Sequence, residues 1–206
     1  FSVVAGGFVA AIFGLFIAIP VLRLGGDYLG IATLGFAEII RVLIVNLTPI
    51  TNGSLGIKGI PFHASLLVNY GWLLITLYCM VKLLGSNFGN IFKAIRDDEI
   101  AAEAMGVNLA KHKSLSFVIS SFFAAIGGAL MAMFLGAVSS TTFTIAVTYF
   151  ILLIVVIGGI GSITGSVLTS FLYIAALEWL LRGLDTGEFL GITAPGLFKN
   201  GFRMAV

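Results

Sequence analysis

The chain has 206 residues, of which 59% are hydrophobic and only 10% are charged. Soluble domains carry about 25% charged residues, so this composition excludes an ordinary soluble protein and indicates an integral membrane protein. The formal net charge of +2 is too small to indicate nucleic-acid binding. The one cysteine, Cys79, excludes an intrachain disulfide and a cysteine-based metal cluster.

Six apolar stretches are candidates for membrane spans, because a helix of about 20 apolar residues can cross a bilayer. In chain order they are Phe1–Leu22, Leu29–Leu47, Ser65–Leu84, Leu115–Leu135, Ile145–Ile160 and Ile163–Leu181. Pro20 is expected to kink or end the first span. The last two are separated only by the glycine-rich residues 158–162. That separation is either a tight turn between two short helices or a break within a single passage.

These spans predict an all-α fold, a polytopic transmembrane helical bundle of about six spans. No repeat or interdomain linker is visible, so we expect residues 1–206 to form one membrane domain. The sequence begins at Phe1, without an initiator Met, and stops abruptly at Val206. We therefore expect further helices at one or both ends of the natural protein.

Basic residues predict the orientation, because short cytoplasmic loops are enriched in Lys and Arg. The 49–64 loop has only Lys58, and Arg23 follows the first span. The connection between the third and fourth spans carries five basic residues, Lys82, Lys93, Arg96, Lys111 and Lys113. This connection is predicted to face the cytoplasm, on the same side as Arg23.

Residues Lys93–Gly106, called the charged segment below, interrupt the apolar sequence within this connection. Residues 90–96 form a first short stretch in which the basic residues Lys93 and Arg96 stand beside apolar ones. Asp97, Asp98 and Glu99 are then expected to begin a second short helix, where carboxylates oppose the positive end of the helix dipole. Gly106 is a natural left-handed terminator for that helix.

The second helix has two possible environments. It is either an amphipathic connector lying on the membrane surface or a docking element for another protein. Interfacial anchors usually combine a broad apolar face with a basic face. Here a small patch formed by Ile100, Ala101, Ala104 and Met105 lies opposite an acidic face, which favours a protein groove over anionic lipid.

Glu38 and Arg41 are charged residues within the second predicted span, one helical turn apart. A single charge near the bilayer centre costs about 2.5–3.5 kcal/mol on insertion scales, so mutual neutralisation is expected. The pair is either a structural ion pair near a helix end or part of a discontinuous helix that lines a solute route.

No catalytic motif is present. The sequence lacks a Gly-x-x-x-x-Gly-Lys-[Ser/Thr] phosphate loop, a Gly-x-Ser-x-Gly elbow and a His-Glu-x-x-His pair. His63 and His112 fall in predicted loops on opposite sides, which argues against a shared metal site. We therefore expect a chain that is not an enzyme and that holds no metal or cofactor of its own.

Four blocks in order carry a resemblance to a known family. Ala94–Asn108 resembles the cytoplasmic EAA-type loop of ABC importer permeases, in particular the LivM-type permeases of branched-chain amino-acid transporters. Leu22–Arg41 contains a Gly-Asp-Tyr-Leu turn, Thr-Leu-Gly and Glu-Ile-Ile-Arg, as that family does. Thr51–Pro61 resembles its Gly-Ile…Gly-Ile-Pro loop, and Val156–Ser162 resembles its late glycine motif.

The resemblance implies a role for the charged segment. In this family the loop rests in a cleft of an ATP-hydrolysing subunit and transmits its closure to the membrane helices. The implied coupling loop spans residues 86–113. Its implied coupling surface comprises Arg96, Asp97, Asp98, Glu99, Ala102, Glu103, Ala104 and Gly106. The implied translocation path comprises Tyr28, Thr33, Glu38 and Arg41.

The resemblance also implies the rest of the system. We expect a multi-pass subunit of a bacterial or archaeal inner membrane that works with two cytoplasmic ATPase subunits, a sister permease and an extracytoplasmic solute-binding protein. ATP and Mg would be used by the ATPase subunits, and the solute would be a branched-chain amino acid or a related amide or urea. The alternative is an ion-gradient-driven carrier or channel, in which Glu38 would relay ions or protons.

Overall fold

The computed structural model describes residues 1–22, 24, 27–60, 65–139, 142–177, 188–189 and 192–193. Its helices are α1 Ser2–Val21, α2 Asp27–Asn46, α3 Thr48–Thr51, α4 Leu66–Leu84, α5 Asn87–Asp97, α6 Glu99–Ala104, α7 Leu109–Leu135, α8 Ile145–Gly158 and α9 Ile163–Ala175, with a 3-10 turn at Gly53–Leu55. Its strands are β1 Ile57–Lys58, β2 Ala137–Val138, β3 Glu188–Phe189 and β4 Ile192–Thr193. Four elements of the sequence analysis lie outside the described residues, namely Arg23, Pro61, His63 and residues 178–181.

Four helices, α1, α2, α4 and α7, are long and apolar enough to cross a membrane. They confirm the first four predicted spans and the all-α fold class. α1 ends one residue after Pro20, in agreement with the expected effect of that residue. α7 begins six residues before the predicted Leu115, because Asn108 caps a polar first turn that apolar length alone does not detect. The amide of Lys111 donates to Asn108 Oδ1 at 3.0 Å.

Contacts divide the chain into two units, Phe1–Ile145 and Ala146–Val206. In the first, α1 and α7 pack antiparallel along their length. The rings of Phe8 and Phe122 meet edge to face, with centroids 5.3 Å apart. One face of α1 is buried, comprising Val3, Gly7, Gly14, Ala18 and Val21. The glycines let the two backbones approach closely, as small residues do in membrane helix pairs.

The second unit contains two separate short helices, α8 and α9, of 14 and 13 residues. Between them, Gly159 and Gly161 adopt φ values of 92° and 91°, which favour glycine. Ser162 then caps α9, since its Oγ accepts the Gly165 amide at 3.1 Å. The helices are so close that a Cβ on Gly158 would lie 2.7 Å from the Ser166 Cα. Of the two predicted alternatives, the structure therefore has the tight turn.

The elements outside the spans collect at opposite ends of the first unit. Leu22 and Leu29, which flank the α1–α2 connection, line the same cavity as Arg96 of the charged segment. This shared end agrees with the side that the basic residues predicted. At the other end, β1 pairs antiparallel with β2, and the Ile60 amide donates to the Gly136 carbonyl at 3.1 Å. The ladder joins the α2–α4 connection to the end of α7.

Candidate coupling site

α5 is an amphipathic helix that leads into the charged segment. It begins after Ser86, whose Oγ accepts the Gly89 amide at 3.4 Å. Its inner face buries Ile95 and places the Phe92 ring 6.5 Å from the ring of His112 on α7. Its basic residues, Lys93 and Arg96, are exposed. α5 thus fixes the charged segment against α7 with its polar side outward.

α6 is a single short helix with well-formed ends. Asp98 is its N-cap and accepts the amides of Ile100 and Ala101 at 2.9 and 3.0 Å. At its C-terminal end, Gly106 adopts a φ of 86°, and the Val107 amide donates back to the Ala102 carbonyl at 3.1 Å. This is the left-handed ending that the glycine predicted.

The expectation that all three carboxylates begin the second helix is only partly met. Asp98 caps α6, and Glu99 is its first residue. Asp97 instead ends α5, where its carboxylate accepts from the Arg96 guanidinium at 2.8 Å. The difference arises because the chain leaves the helical conformation at Asp98, with φ −156° and ψ 110°. Asp97, Asp98 and Glu99 therefore take three different positions: the end of α5, the N-cap of α6 and the first residue of α6.

Exposure divides the predicted coupling residues into two groups. Most are exposed, namely Arg96, Asp97, Asp98, Glu99, Glu103, Ala104 and Gly106. Ala102 is only 5% exposed and lies on the inner side of α6. Two apolar residues that the predicted coupling surface did not include, Ile100 and Met105, are 82% and 85% exposed. They are the largest apolar side chains of α6 and its C-cap. The sequence analysis had placed both in the small apolar patch, so that patch was the signal for them.

Lys113 joins α6 to α7. Its Nζ lies 2.6 Å from Oε2 of Glu99, and its side chain is 22% exposed. The sequence analysis did not single out Lys113, because fourteen positions separate the two residues and no helical periodicity relates them. Only the fold of the intervening turn brings them together.

A cavity of about 310 Å³ lies behind this ion pair. Its walls include Arg96, Glu99 and Lys113 together with apolar side chains of α1, α2, α5 and α7. His112 also lines it, and the Nδ1 atom of this residue is buried without a hydrogen-bond partner in the part of the chain that the structure describes. Because α7 begins at Leu109, His112 lies in its first turn, and the predicted position of His112 in a loop is wrong.

The predicted translocation residues all lie on α2. The Arg41 guanidinium donates to both carboxylate oxygens of Glu38, with Nε at 2.9 Å from each. Glu38 lies eleven residues after Asp27 and Arg41 lies five residues before Asn46, so the pair occupies the C-terminal half of α2. Thr33 Oγ1 donates to the Gly30 carbonyl at 2.8 Å, and Tyr28 is exposed.

Titratable side chains do not gather into a metal site in the described ranges. No group of three or more His, Cys, Asp or Glu residues there is placed to hold a metal ion.

The sequence matches the family described as the permease component of branched-chain amino acid transport systems, over residues 1–195. It is 34% identical to the high-affinity branched-chain amino acid transport system permease protein LivM of Escherichia coli K12, and equally to that of Salmonella typhimurium LT2. These matches cover 93% of this chain and 52% of each relative.

An archaeal protein, the probable branched-chain amino acid transport permease protein LivM of Methanocaldococcus jannaschii, is 25% identical over 84% of this chain and 53% of its own length. The chain thus spans about half the length of the curated relatives it matches. No solved structure matches it. The extent of the family match, together with four helices long and apolar enough to cross a membrane, establishes that the chain belongs to the permease components of branched-chain amino acid transport systems.

Proposed function

We propose that this chain is a membrane-spanning permease subunit of an ATP-driven ABC importer that translocates branched-chain amino acids by alternating access. The names of its relatives support branched-chain amino acids as the solute class. Related small polar solutes, such as an amide or urea, belong to the same proposal. In this proposal the chain is not an enzyme. It works in the inner membrane of a bacterium or archaeon, with a sister permease, an extracytoplasmic solute-binding protein and two cytoplasmic subunits that hydrolyse ATP with Mg.

The observation that carries this proposal is the exposed face of α6. Ile100 and Met105 project on the end predicted to be cytoplasmic, beside the carboxylates of Glu99 and Glu103. Ala102 of the same helix is buried, and the Glu99–Lys113 ion pair connects α6 to α7. Ile100 and Met105, called the apolar knob below, and the carboxylates beside them, called its rim, suit a cleft in a protein partner. The hot spots of protein interfaces are commonly apolar anchors that fill pockets.

The alternative, an ion-gradient-driven carrier, has less support. Glu38 is the acidic residue inside the described spans that could relay ions or protons. Arg41 donates to both of its carboxylate oxygens, which leaves it poorly suited to bind and release a cation. Uptake of leucine by the reconstituted permease without any ATPase subunit would support the carrier and contradict the importer.

Two substitutions on α6 test docking. Met105→Asp places a charge on the apolar knob, and Glu103→Lys reverses a charge on its rim. We expect Met105→Asp to weaken binding of co-expressed ABC ATPase subunits by more than about tenfold, because loss of a buried interface anchor costs about 2 kcal/mol or more. Glu103→Lys should weaken binding by a smaller factor, because charges at the rim of an interface contribute less than its buried anchors. Affinity is measured with the purified permease in nanodiscs, and ATP-dependent leucine uptake is measured in proteoliposomes.

Leu55→Asp is the matched control. Leu55 is also a large exposed apolar residue, but it lies in the connection that carries β1, at the opposite end of the first unit. This variant should bind the ATPase subunits as the unchanged chain does. Wild-type affinity in Met105→Asp and Glu103→Lys would contradict α6 as the docking element.

A further inference from the structure

We propose that Lys113 is a positioning residue that ties α6 to α7, so that a displacement of α6 moves the whole of α7. The inference rests on the proposed function for its consequence in transport. The tie itself is a property of the permease alone and can be measured without any partner.

α6 needs such a tie because it is too short to hold its place by itself. It has six residues, and a helix of that length is not stable in water without tertiary contacts. Its caps, Asp98 and Gly106, stabilise its ends but do not hold it to α7. If a partner pushed on Met105 or Ile100, α6 would move by bending its short connections to α5 and α7. A contact between α6 and α7 is needed to pass the displacement on to α7.

Two features of α6 hold it against the rest of the first unit. Ala102 is 5% exposed, so one face of α6 is buried. A single small buried side chain would still allow α6 to rotate about its own axis. The Glu99–Lys113 ion pair, at 2.6 Å, is a second contact about one turn away and prevents that rotation. Lys113 is 22% and Glu99 55% exposed, so solvent screens this pair somewhat less than it screens Arg96–Asp97, whose side chains are 51% and 66% exposed.

α7 is suited to carry the displacement across the membrane. Its 27 residues run without a break from the Asn108 cap to Gly136 and span about 40 Å at 1.5 Å per residue. Lys113 lies in its first turns, and β2 follows directly after its end. Because β2 is paired with β1, a shift of α7 reaches the connection between α2 and α4 at the other end. α7 packs closely against α1 along the way.

Hydrogen exchange of the α6 amides tests the tie in the permease alone, reconstituted in nanodiscs. Lys113→Glu puts two carboxylates together and should speed exchange of residues 100–105 about two- to fivefold, the range expected for loss of an ion pair of this exposure. The reversed pair, Glu99→Lys with Lys113→Glu, should restore protection. Lys111→Glu is the matched control, because it makes the same charge change on a side chain with no ion pair in the described ranges.

The second measurement is the number of ATP molecules hydrolysed per leucine transported by the assembled importer. Lys113→Glu should retain the ATPase subunits but raise this ratio at least about threefold, in line with loss of an ion pair. Exchange in Lys113→Glu equal to that of the unchanged chain would overturn the inference, even if docking at α6 is established. Failure of the reversed pair to restore protection, or an unchanged ratio, would also overturn it. Loss of docking in Met105→Asp bears on the proposed function and leaves the exchange result to decide the tie.

Discussion

Gly6 and Gly14 are both helical glycines of α1, yet their surroundings differ. A Cβ on Gly14 would lie 2.6 Å from Ser121 Oγ and 2.9 Å from Ser121 Cβ, whereas a Cβ on Gly6 meets nothing within 4 Å. The Ser121 Cβ is attached directly to the α7 backbone, so it cannot move aside without moving α7. The close approach of α1 and α7 therefore depends on the absence of a side chain at Gly14.

We predict that Gly14→Ala lowers the free energy of unfolding by about 1–3 kcal/mol, the usual cost of overpacking. Gly6→Ala should be neutral or stabilising by up to about 1 kcal/mol, because alanine loses less conformational entropy in a helix. Thermal unfolding of the two variants in detergent measures the difference. Equal stability of the two variants would mean that α1 and α7 do not approach as closely as they do here.

Sequence spacing alone could not identify these contact residues. The small residues Ala10, Gly14 and Ala18 recur every four positions, and Gly14 and Ala18 are indeed buried. Gly128 belongs to a similar series on α7, but a Cβ there would meet nothing within 4 Å. Periodicity shows that small residues share one face of a helix. Which face meets a neighbouring helix depends on tertiary packing.

At the scale of the element, α6 depends on one carboxylate more than on its neighbours. Asp98 accepts two backbone amides at the start of the helix, while Asp97 pairs only with the exposed Arg96. Asp98→Ala should destabilise α6 by about 1 kcal/mol, the typical cost of losing an N-cap, and speed exchange of its amides about fivefold. Asp97→Ala should have little effect, because exposed ion pairs contribute about 0.2–1 kcal/mol.

Asp98→Asn distinguishes capping from charge in the same exchange measurement. Asparagine is as good an N-cap as aspartate, so protection should return if the side-chain oxygen is what matters. Faster exchange in Asp97→Ala than in Asp98→Ala would contradict the assignment of Asp98 as the N-cap of α6.

The candidate site illustrates what local patterns can predict about an element. The order of acidic residues, small apolar residues and glycine correctly predicted a short helix that ends at a left-handed glycine. The burial of Ala102 and the pairing of Glu99 with Lys113 could not be predicted in this way. Both depend on how α6 folds back on α7, and that arrangement is set by contacts between residues distant in sequence.

At the scale of the whole molecule, apolar length predicted the order of the spans because each helix in a bilayer must satisfy its own backbone hydrogen bonds. It did not predict the β1–β2 ladder, which joins Ile57 to Val138. Strands of two residues are too short to show alternation, and their partners lie in different connections. Such long-range pairing is visible only in the folded chain, where the α2–α4 connection meets the end of α7.

The Glu38–Arg41 pair tests how charge is accommodated within a span. Arg41→Gln leaves an unpaired carboxylate there, and Glu38→Gln leaves an unpaired guanidinium. Each should lower stability by up to about 2.5–3.5 kcal/mol, the cost of a lone charge at a helix centre. Changing both residues to Gln should recover most of this loss, because neither charge then remains. Thermal unfolding of the three variants in nanodiscs gives the coupling between the two sites.

Leucine uptake by the double variant separates the two roles proposed for the pair. A pair that only neutralises itself predicts a double variant that folds and transports at the rate of the unchanged chain. A pair that lines the solute path predicts normal folding with uptake slowed about tenfold or more, because one lost hydrogen bond to a charged group costs about 1.5–3 kcal/mol. A double variant whose loss of stability equals the sum of the two single losses would contradict both roles, since Nε and Nη2 of Arg41 donate hydrogen bonds to the Glu38 carboxylate.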